Sequence, residues 1–159
     1  PAIHVSMADP LGNAIMLGTE WSRFELSRAA KKVILVADEI VHTDCMRQFP
    51  NLVRIPDIVV DAVVYWPFAA WPQSSPGFYD VDEDHMRSMN KALASEETTQ
   101  QYLKEYVFSY QSHRDYLDMI GNETREKITQ TETSFLMDPY RKWILSADEI
   151  PKLVLEGET

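Results

Sequence analysis

The chain has 159 residues, of which 45% are hydrophobic, a length and composition that suit one globular domain and argue against wholesale disorder. Aspartate and glutamate number 25 against 15 lysine and arginine, and a net charge of −10 repels phosphate backbones and disfavours nucleic acid as a partner. An anionic cofactor stays open on charge alone, because backbone amides at helix N-termini hold phosphate without lysines. Cys45 is the single cysteine, so an internal disulfide is excluded and a reducing, cytoplasmic compartment is expected. No apolar run approaches the roughly 20 residues of a membrane helix, and neither a signal peptide nor a low-complexity tract is apparent. The spacing of His4, His42, His85 and His113 matches no metal-ligand pattern, so no metal is assigned.

The chain opens at Pro1 without a methionine, which suits a processed terminus or a piece of a longer polypeptide. Ile3, Val5 and Met7 alternate with His4 and Ser6, the period of a half-buried strand. "ADPLGN" (Ala8 to Asn13) is turn chemistry, and Ala14 to Leu17 reads as a short return strand. A helix is expected over Glu20 to Lys31, with Trp21, Phe24 and Arg28 on one face and Lys31 and Lys32 at its negative end. "KVILV" (Lys32 to Val36) then reads as a strand buried on both faces, as in a parallel sheet, ending in "ADEIV". One helical turn over Asp44 to Phe49 and a short extended piece in "NLVRI" follow. Ile58 to Tyr65 reads as a second continuous apolar strand interrupted by Asp61.

Beyond Asp80 the pattern turns helical. Asp82, Ser95 and Ser112 are N-cap candidates, and Ser112 with Asp115 resembles a capping box. Met86, Met89 and Leu93 fall at helical spacing, and Tyr102, Leu103, Tyr106, Val107 and Tyr110 form a broad apolar stripe. Gly121 stops the helix carrying Tyr116, Leu117 and Ile120. Ile128, Phe135, Trp143, Ile144 and Leu145 are expected along a partly helical tail, with another cap at Ser146. The order of elements predicts an α/β protein: an open, mostly parallel sheet with flanking helices, incomplete in this chain, and a helical C-terminal layer.

Three stretches carry a family resemblance: "MADPLGNAIMLG", "AAKKVILVADEIV" and "IPDIVVDAVVYWPFAAWPQSSPGFYD". In this order and spacing they resemble the C-terminal half of the A subunit of family I CoA-transferases, the type of the glutaconate CoA-transferase α chain. The resemblance covers about Ala2 to Gly121, which divides the chain into residues 1–121, the half-subunit, and 122–159, the tail. Ala69 and Trp71 stand where the family pattern has glycine and histidine, and Asp38 stands where it has glutamate. Trp71 is no base, and ring-opening CoA hydrolases on the same scaffold vary this same loop.

The resemblance implies that coenzyme A is moved between an acyl-CoA and a carboxylic acid through a glutamyl-CoA intermediate, a form of covalent catalysis. It implies a catalytic glutamate on a partner, the B subunit, hence no catalytic residue here. The other partner it implies is the N-terminal half of the A subunit. The CoA thioester would be a substrate, with no permanently bound cofactor. The aromatic loop after the second apolar strand is expected to line the active-site cleft or the interface between the subunits, since ligands of open α/β sheets bind beyond the strand C-termini. Phe68, Ala69, Ala70, Trp71, Ser74, Ser75 and Tyr79 are the expected substrate-binding residues. Trp66 and Phe78 add apolar wall, and Ser74 and Ser75 are suited to a carboxylate.

The remaining candidates have plainer readings. Cys45 near His42 and Asp44 is a half-buried thiol before it is a nucleophile. Glu39 is a cap or ion-pair partner. Asp61, Asp9, Gly12 and Asn13 serve backbone geometry. The Asp80, Asp82, Glu83, Asp84 cluster is a solvated helix start, lacking the glycine and loop length of an EF-hand. The tyrosine stripe is core or interface. A CoA-ester hydrolase and a non-catalytic scaffold are the competing functions. An exposed aromatic loop counts against the scaffold, because it leaves apolar surface that something must cover.

Overall fold

In the computed structural model, which describes residues 1–19, 22–129 and 132–150, the apolar stretches lie side by side in one sheet. β1 (Ala2–Ala8), β3 (Ile34–Ile40) and β5 (Ala62–Tyr65) are parallel, and β3 is central to them. β2 (Ala14–Ile15) returns antiparallel to β1, and β4 (Val53–Ile55) pairs antiparallel with β2. The strand order is β4-β2-β1-β3-β5. Helices α1 (Arg23–Ala29) and α2 (Thr43–Gln48) lie between strands, and α3 (Glu83–Ala92), α4 (Glu96–Tyr106), α5 (His113–Ile120) and α6 (Asn122–Thr129) follow the sheet. This is the open, mostly parallel α/β sheet with a helical C-terminal layer that the sequence predicts.

Ile3, Val5, Leu35, Ala37 and Val63 pack on one side of the sheet with Ile55 and Ile150. Each of these valine, leucine and isoleucine side chains contributes about 1.5–3 kcal/mol on burial. A second cluster joins Met7, Ile15, Val41, Cys45, Met46, Met137 and Tyr140. The tail thus reaches both clusters. It also extends the end of β3: Leu145 N–H donates to the Ile40 carbonyl and His42 N–H to that of Trp143.

Several boundaries differ from the sequence reading. β1 is covered on both sides, because Ser6 is buried with its Oγ accepting the Leu17 N–H at 2.8 Å. α1 is shorter than Glu20 to Lys31: Ala30 has left the helix with extended backbone, and Glu20 and Trp21 lie outside the described residues. β3 begins at Ile34 and runs on through Asp38 and Glu39 to Ile40, with Ile34 itself exposed rather than buried. Asp61 explains the late start, since it accepts Lys32 Nζ at 2.6 Å and Val33 N–H at 2.8 Å just ahead of β3. The apolar run from Ile58 is not one strand. Asp57–Val59 form a 3-10 turn with Ile58 88% exposed, and only Ala62–Tyr65 pair with β3. α4 ends at Tyr106, so Tyr110 leaves the helical stripe, and Phe135 is exposed rather than packed.

The caps agree with the sequence. Asp82, Ser95 and Ser112 each accept a backbone N–H at the start of α3, α4 and α5, the Ser112–Asp115 capping box is closed, and Gly121 ends α5 with φ +85°. The turn after β1 is organised by Asp9, which is fully buried. Its Oδ1 accepts the N–H groups of Leu11, Gly12 and Asn13, and its Oδ2 accepts Asn13 Nδ2 at 3.1 Å. Gly12 sits at φ +103°, and an added Cβ would lie 3.0 Å from Val60 Cγ1.

Asp9→Ala leaves several buried donors unpaired, and a loss of about 3 kcal/mol is expected. Denaturant unfolding of the folded polypeptide checks it, and a loss below roughly 0.5 kcal/mol would show that the turn holds without its carboxylate.

Candidate active-site face

β5 delivers the chain at the shared C-terminal end of the parallel strands, where Trp66 N–H donates to the Ala37 carbonyl at 2.9 Å. From there the loop folds back over one face of the sheet. Strand alternation puts His4 and Ser6 of β1, Val36 and Asp38 of β3 and Val64 of β5 on that face, with His4, Val36 and Val64 in register. The loop is tightly bonded to itself. Ala69 N–H donates to Trp66, Trp71 N–H to Phe68 and Gln73 N–H to Ala70, and Ser75 and Tyr79 exchange two backbone bonds of 2.9 and 3.0 Å. The Trp71–Pro72 peptide is cis, and Phe68 holds φ +66°, outside the favoured range of an L-residue.

Asp38 fastens this loop to the sheet. Its side chain is 1% exposed, His4 Nε2 donates to Oδ2 at 2.7 Å and Tyr79 OH donates to Oδ1 at 3.1 Å. The same phenol oxygen accepts the Ala70 N–H at 2.9 Å. Burial, then the Asp38 charge, pushes the Tyr79 phenol far above its ordinary range, so it stays a donor. Phe68 stacks on Tyr79 with centroids 4.8 Å apart, and its carbonyl accepts Tyr116 OH from α5 at 2.8 Å.

Two cavities flank this wall. One, of about 310 Å³, is polar: His4, Ser6, Arg23, Gln73, Ser74 and Ser75 line it with Leu17, Thr19 and Pro76. Among the described residues no carboxylate lines it, and Ser75 Oγ is buried without a hydrogen-bond partner. Donors therefore surround a space suited to an anion. The other, of about 430 Å³, is aromatic, built from Trp66, Trp71, Tyr102, Tyr106, Tyr110 and Tyr116 over Val36 and Val64.

The expected site residues are divided among these parts. Ser74 and Ser75 line the polar cavity, Ala69 and Trp71 line the aromatic one, and Phe68, Ala70 and Tyr79 form the wall between. Trp71 is further held by Nε1 donating to Asp82 Oδ2 at 3.1 Å. Sequence reasoning missed His4, Asp38 and Arg23. A charged residue inside a buried strand was the available signal for Asp38, and His4 opposes the core on the alternation of β1. The tyrosine stripe belongs to neither core cluster: Tyr102 and Tyr106 stack at 4.8 Å and face the aromatic cavity.

Other candidates resolve by environment. Cys45 is fully buried, and burial with the Asp9 charge raises its thiol to about 11, so it is no thiolate nucleophile at neutral pH. Glu39 is neither a cap nor in an ion pair among the described residues. It lies inside β3 opposite Met7, and burial, then Asp38, raises its carboxyl to about 7. In the acidic cluster, Asp82 caps α3 while Asp84 pairs with Arg87 and Lys127. No group of three or more His, Cys, Asp or Glu among the described residues is placed to hold a metal ion. No described helix is long and apolar enough to cross a membrane.

This sheet, with a pinned aromatic loop at its strand ends, has known relatives. No family model matches the chain. It is 32% identical over 119 residues to the A subunit of glutaconate CoA-transferase from Acidaminococcus fermentans, a match covering 75% of this chain and 37% of that protein. It is 28% identical over 105 residues to the A subunit of 3-oxoadipate CoA-transferase from Pseudomonas knackmussii, covering 66% and 36%. An uncharacterised protein of Archaeoglobus fulgidus is 39% identical over 131 residues, covering 82% and 29%. The crystal structure of the Acidaminococcus fermentans glutaconate coenzyme A-transferase superposes with a TM-score of 0.77 at 29% identity, covering 82% of this chain and 41% of that one. The chain is thus homologous to part of the A subunit of CoA-transferases. It spans about a third of the length of the curated relatives it matches.

Glu39, which alternates to the opposite face of β3 from Asp38, gives the fold a pH signature. Its folded pKa of about 7 lies above the ordinary 4.5, so the fold binds this proton more tightly than the unfolded chain. Its contribution to stability is complete below 4.5 and is lost as pH rises through about 7. Denaturation midpoints across that window should fall with pH, and Glu39→Gln should flatten the slope. An unchanged slope in the variant would assign the titration elsewhere.

Proposed function

We propose that this chain is a segment of the A subunit of a CoA-transferase that moves coenzyme A between an acyl-CoA and a carboxylic acid. The observation that carries the proposal is the homology to two curated CoA-transferase A subunits together with the shared fold. In this reading the nucleophilic glutamate belongs to a partner, the B subunit, and forms the glutamyl-CoA thioester. This segment then supplies a substrate-facing wall. The remainder of the A subunit completes the sheet, and the CoA ester enters as a substrate.

The residues here have definite tasks in that scheme. Ser74 and Ser75, with Gln73 and Arg23, offer donors to the carboxylate of the acid, and no like charge among the described lining residues opposes it. The Phe68–Tyr79 wall keeps that carboxylate beside apolar surface, away from water that would hydrolyse an activated acyl group. A CoA-ester hydrolase on the same scaffold is the second reading. One observation favours it: His4, backed by Asp38 at 2.7 Å and lining the polar cavity, can accept a proton from water.

The test uses the complete A and B subunits assembled together, acyl-CoA donors and a mixture of carboxylic acids, with products followed by mass spectrometry. New acyl-CoA species made from the added acids are expected. Free CoA and acid without transfer would move the assignment to the hydrolase. Ser74→Ala with Ser75→Ala should raise KM for the acid about tenfold or more, as loss of hydrogen bonds to a charged group does. An unchanged KM would remove the serines from the site.

A further inference from the structure

The aromatic cavity carries information about the substrate that the relatives' names do not contain. Its walls are ring faces: Trp66 and Trp71 on the loop, with Tyr102 and Tyr106 stacked 4.8 Å apart on α4. Its floor is Val36 and Val64 of the sheet. Among the described residues no Lys, Arg, Asp or Glu lines it. Three of the polar ring tips are already committed. Trp71 Nε1 donates to Asp82 at 3.1 Å, Tyr102 OH shares a 2.8 Å hydrogen bond with His85 Nε2, and Tyr116 OH donates to the Phe68 carbonyl.

These bonds hold the rings of Trp71, Tyr102 and Tyr116 in place along the cavity. His85, packed 4.1 Å from Trp71, has its imidazole held below its ordinary value by burial, so it brings no lasting positive charge. A carboxylate placed here would lose water and meet no cationic side chain among the described lining residues, which is costly. A flat ring would instead meet preset stacking surfaces. The volume, about 430 Å³, lies within the range of small-molecule sites.

The two cavities adjoin. His4, lining the polar cavity, is the registered strand partner of Val36, lining the aromatic one. Neighbouring strands stand about 4.8 Å apart, so the two spaces lie side by side under one loop. Both relatives' names carry short dicarboxylates, glutaconate and 3-oxoadipate. Such acids carry a negative charge at each end, and among the described lining residues only the polar cavity holds a cationic side chain, Arg23.

We infer that the aromatic cavity takes the uncharged, ring-bearing part of the acid substrate, so that this protein acts on an aryl or cyclic monocarboxylic acid rather than a short dicarboxylate. The inference rests on the CoA-transferase reading for the reaction, but not for the binding. The test therefore has two readouts on the complete complex of A and B subunits: tryptophan fluorescence titrated with phenylacetate, cyclohexanecarboxylate and glutarate, and CoA transfer to the same three acids.

Quenching and transfer with the ring acids, at least tenfold better than with glutarate, is the expected result. Trp71→Leu and Tyr106→Ala, the second on a half-exposed helical position, should each weaken phenylacetate binding at least tenfold while the complex stays assembled. Glutarate preferred in either readout, or phenylacetate affinity unchanged in both variants, overturns the inference. Ring-acid binding that the variants abolish, with transfer to no acid at all, keeps the cavity assignment and removes the transferase reading instead.

Discussion

A carboxylate inside the sheet organises this molecule. Asp38 lies in the central parallel strand and is nearly inaccessible to water. Burying an ion costs several kcal/mol unless good partners replace its hydration. Its two partners come from distant parts of the chain: His4 from the first strand and Tyr79 from the far end of the aromatic loop. Satisfying Asp38 therefore draws the loop across the sheet. Once Tyr79 is in place its oxygen collects the Ala70 N–H and its ring stacks under Phe68. The loop's shape, the wall and the two cavities all follow from that requirement.

The pinned loop gives the two faces of the sheet different chemistry. One face is an ordinary aliphatic core of Ile3, Val5, Leu35, Ala37 and Val63. The other carries His4, Ser6 and Asp38 beside Val36 and Val64, a mixture that a structural core has no reason to hold. The aromatic wall divides that mixture into a donor-lined space and a ring-lined space. Trp71 shows how a single position serves this division. Its indole N–H is tied to the N-cap of α3, so the ring faces the cavity and joins the loop to the helical layer. A histidine there, as in the related pattern, would present a polar edge where this protein presents a flat apolar face.

Much of the fold was legible locally. The N-caps at Asp82, Ser95 and Ser112 and the stop at Gly121 are short-range hydrogen-bond and φ preferences, which the sequence states directly. The turn at Asp9 to Asn13 is of the same kind. Strand limits were less legible. Ile58 belongs to an apolar run yet is exposed, because Asp61 is held by Lys32 and Val33 and the strand can pair only beyond it. The end of β3 within "ADEIV" was legible, but the burial of Asp38 there was not, because it depends on partners distant in sequence.

By itself, then, the sequence determined the α/β class, the N-caps of α3, α4 and α5, the aromatic loop and the order of motifs shared with CoA-transferase A subunits. These depend on periodicity, on caps and on residues close together along the chain. Only the tertiary structure decided that three of the seven expected site residues form a wall with the other four divided between its two sides, and that His4, Arg23, Tyr102 and Tyr106 complete the two spaces. The reason is physical: a cavity is made by side chains from several elements. His4 and Asp38 are separated by 34 positions, Tyr79 and Asp38 by 41. No local preference encodes such contacts. They arise when a buried charge, a stacked ring and a parallel register must be satisfied together.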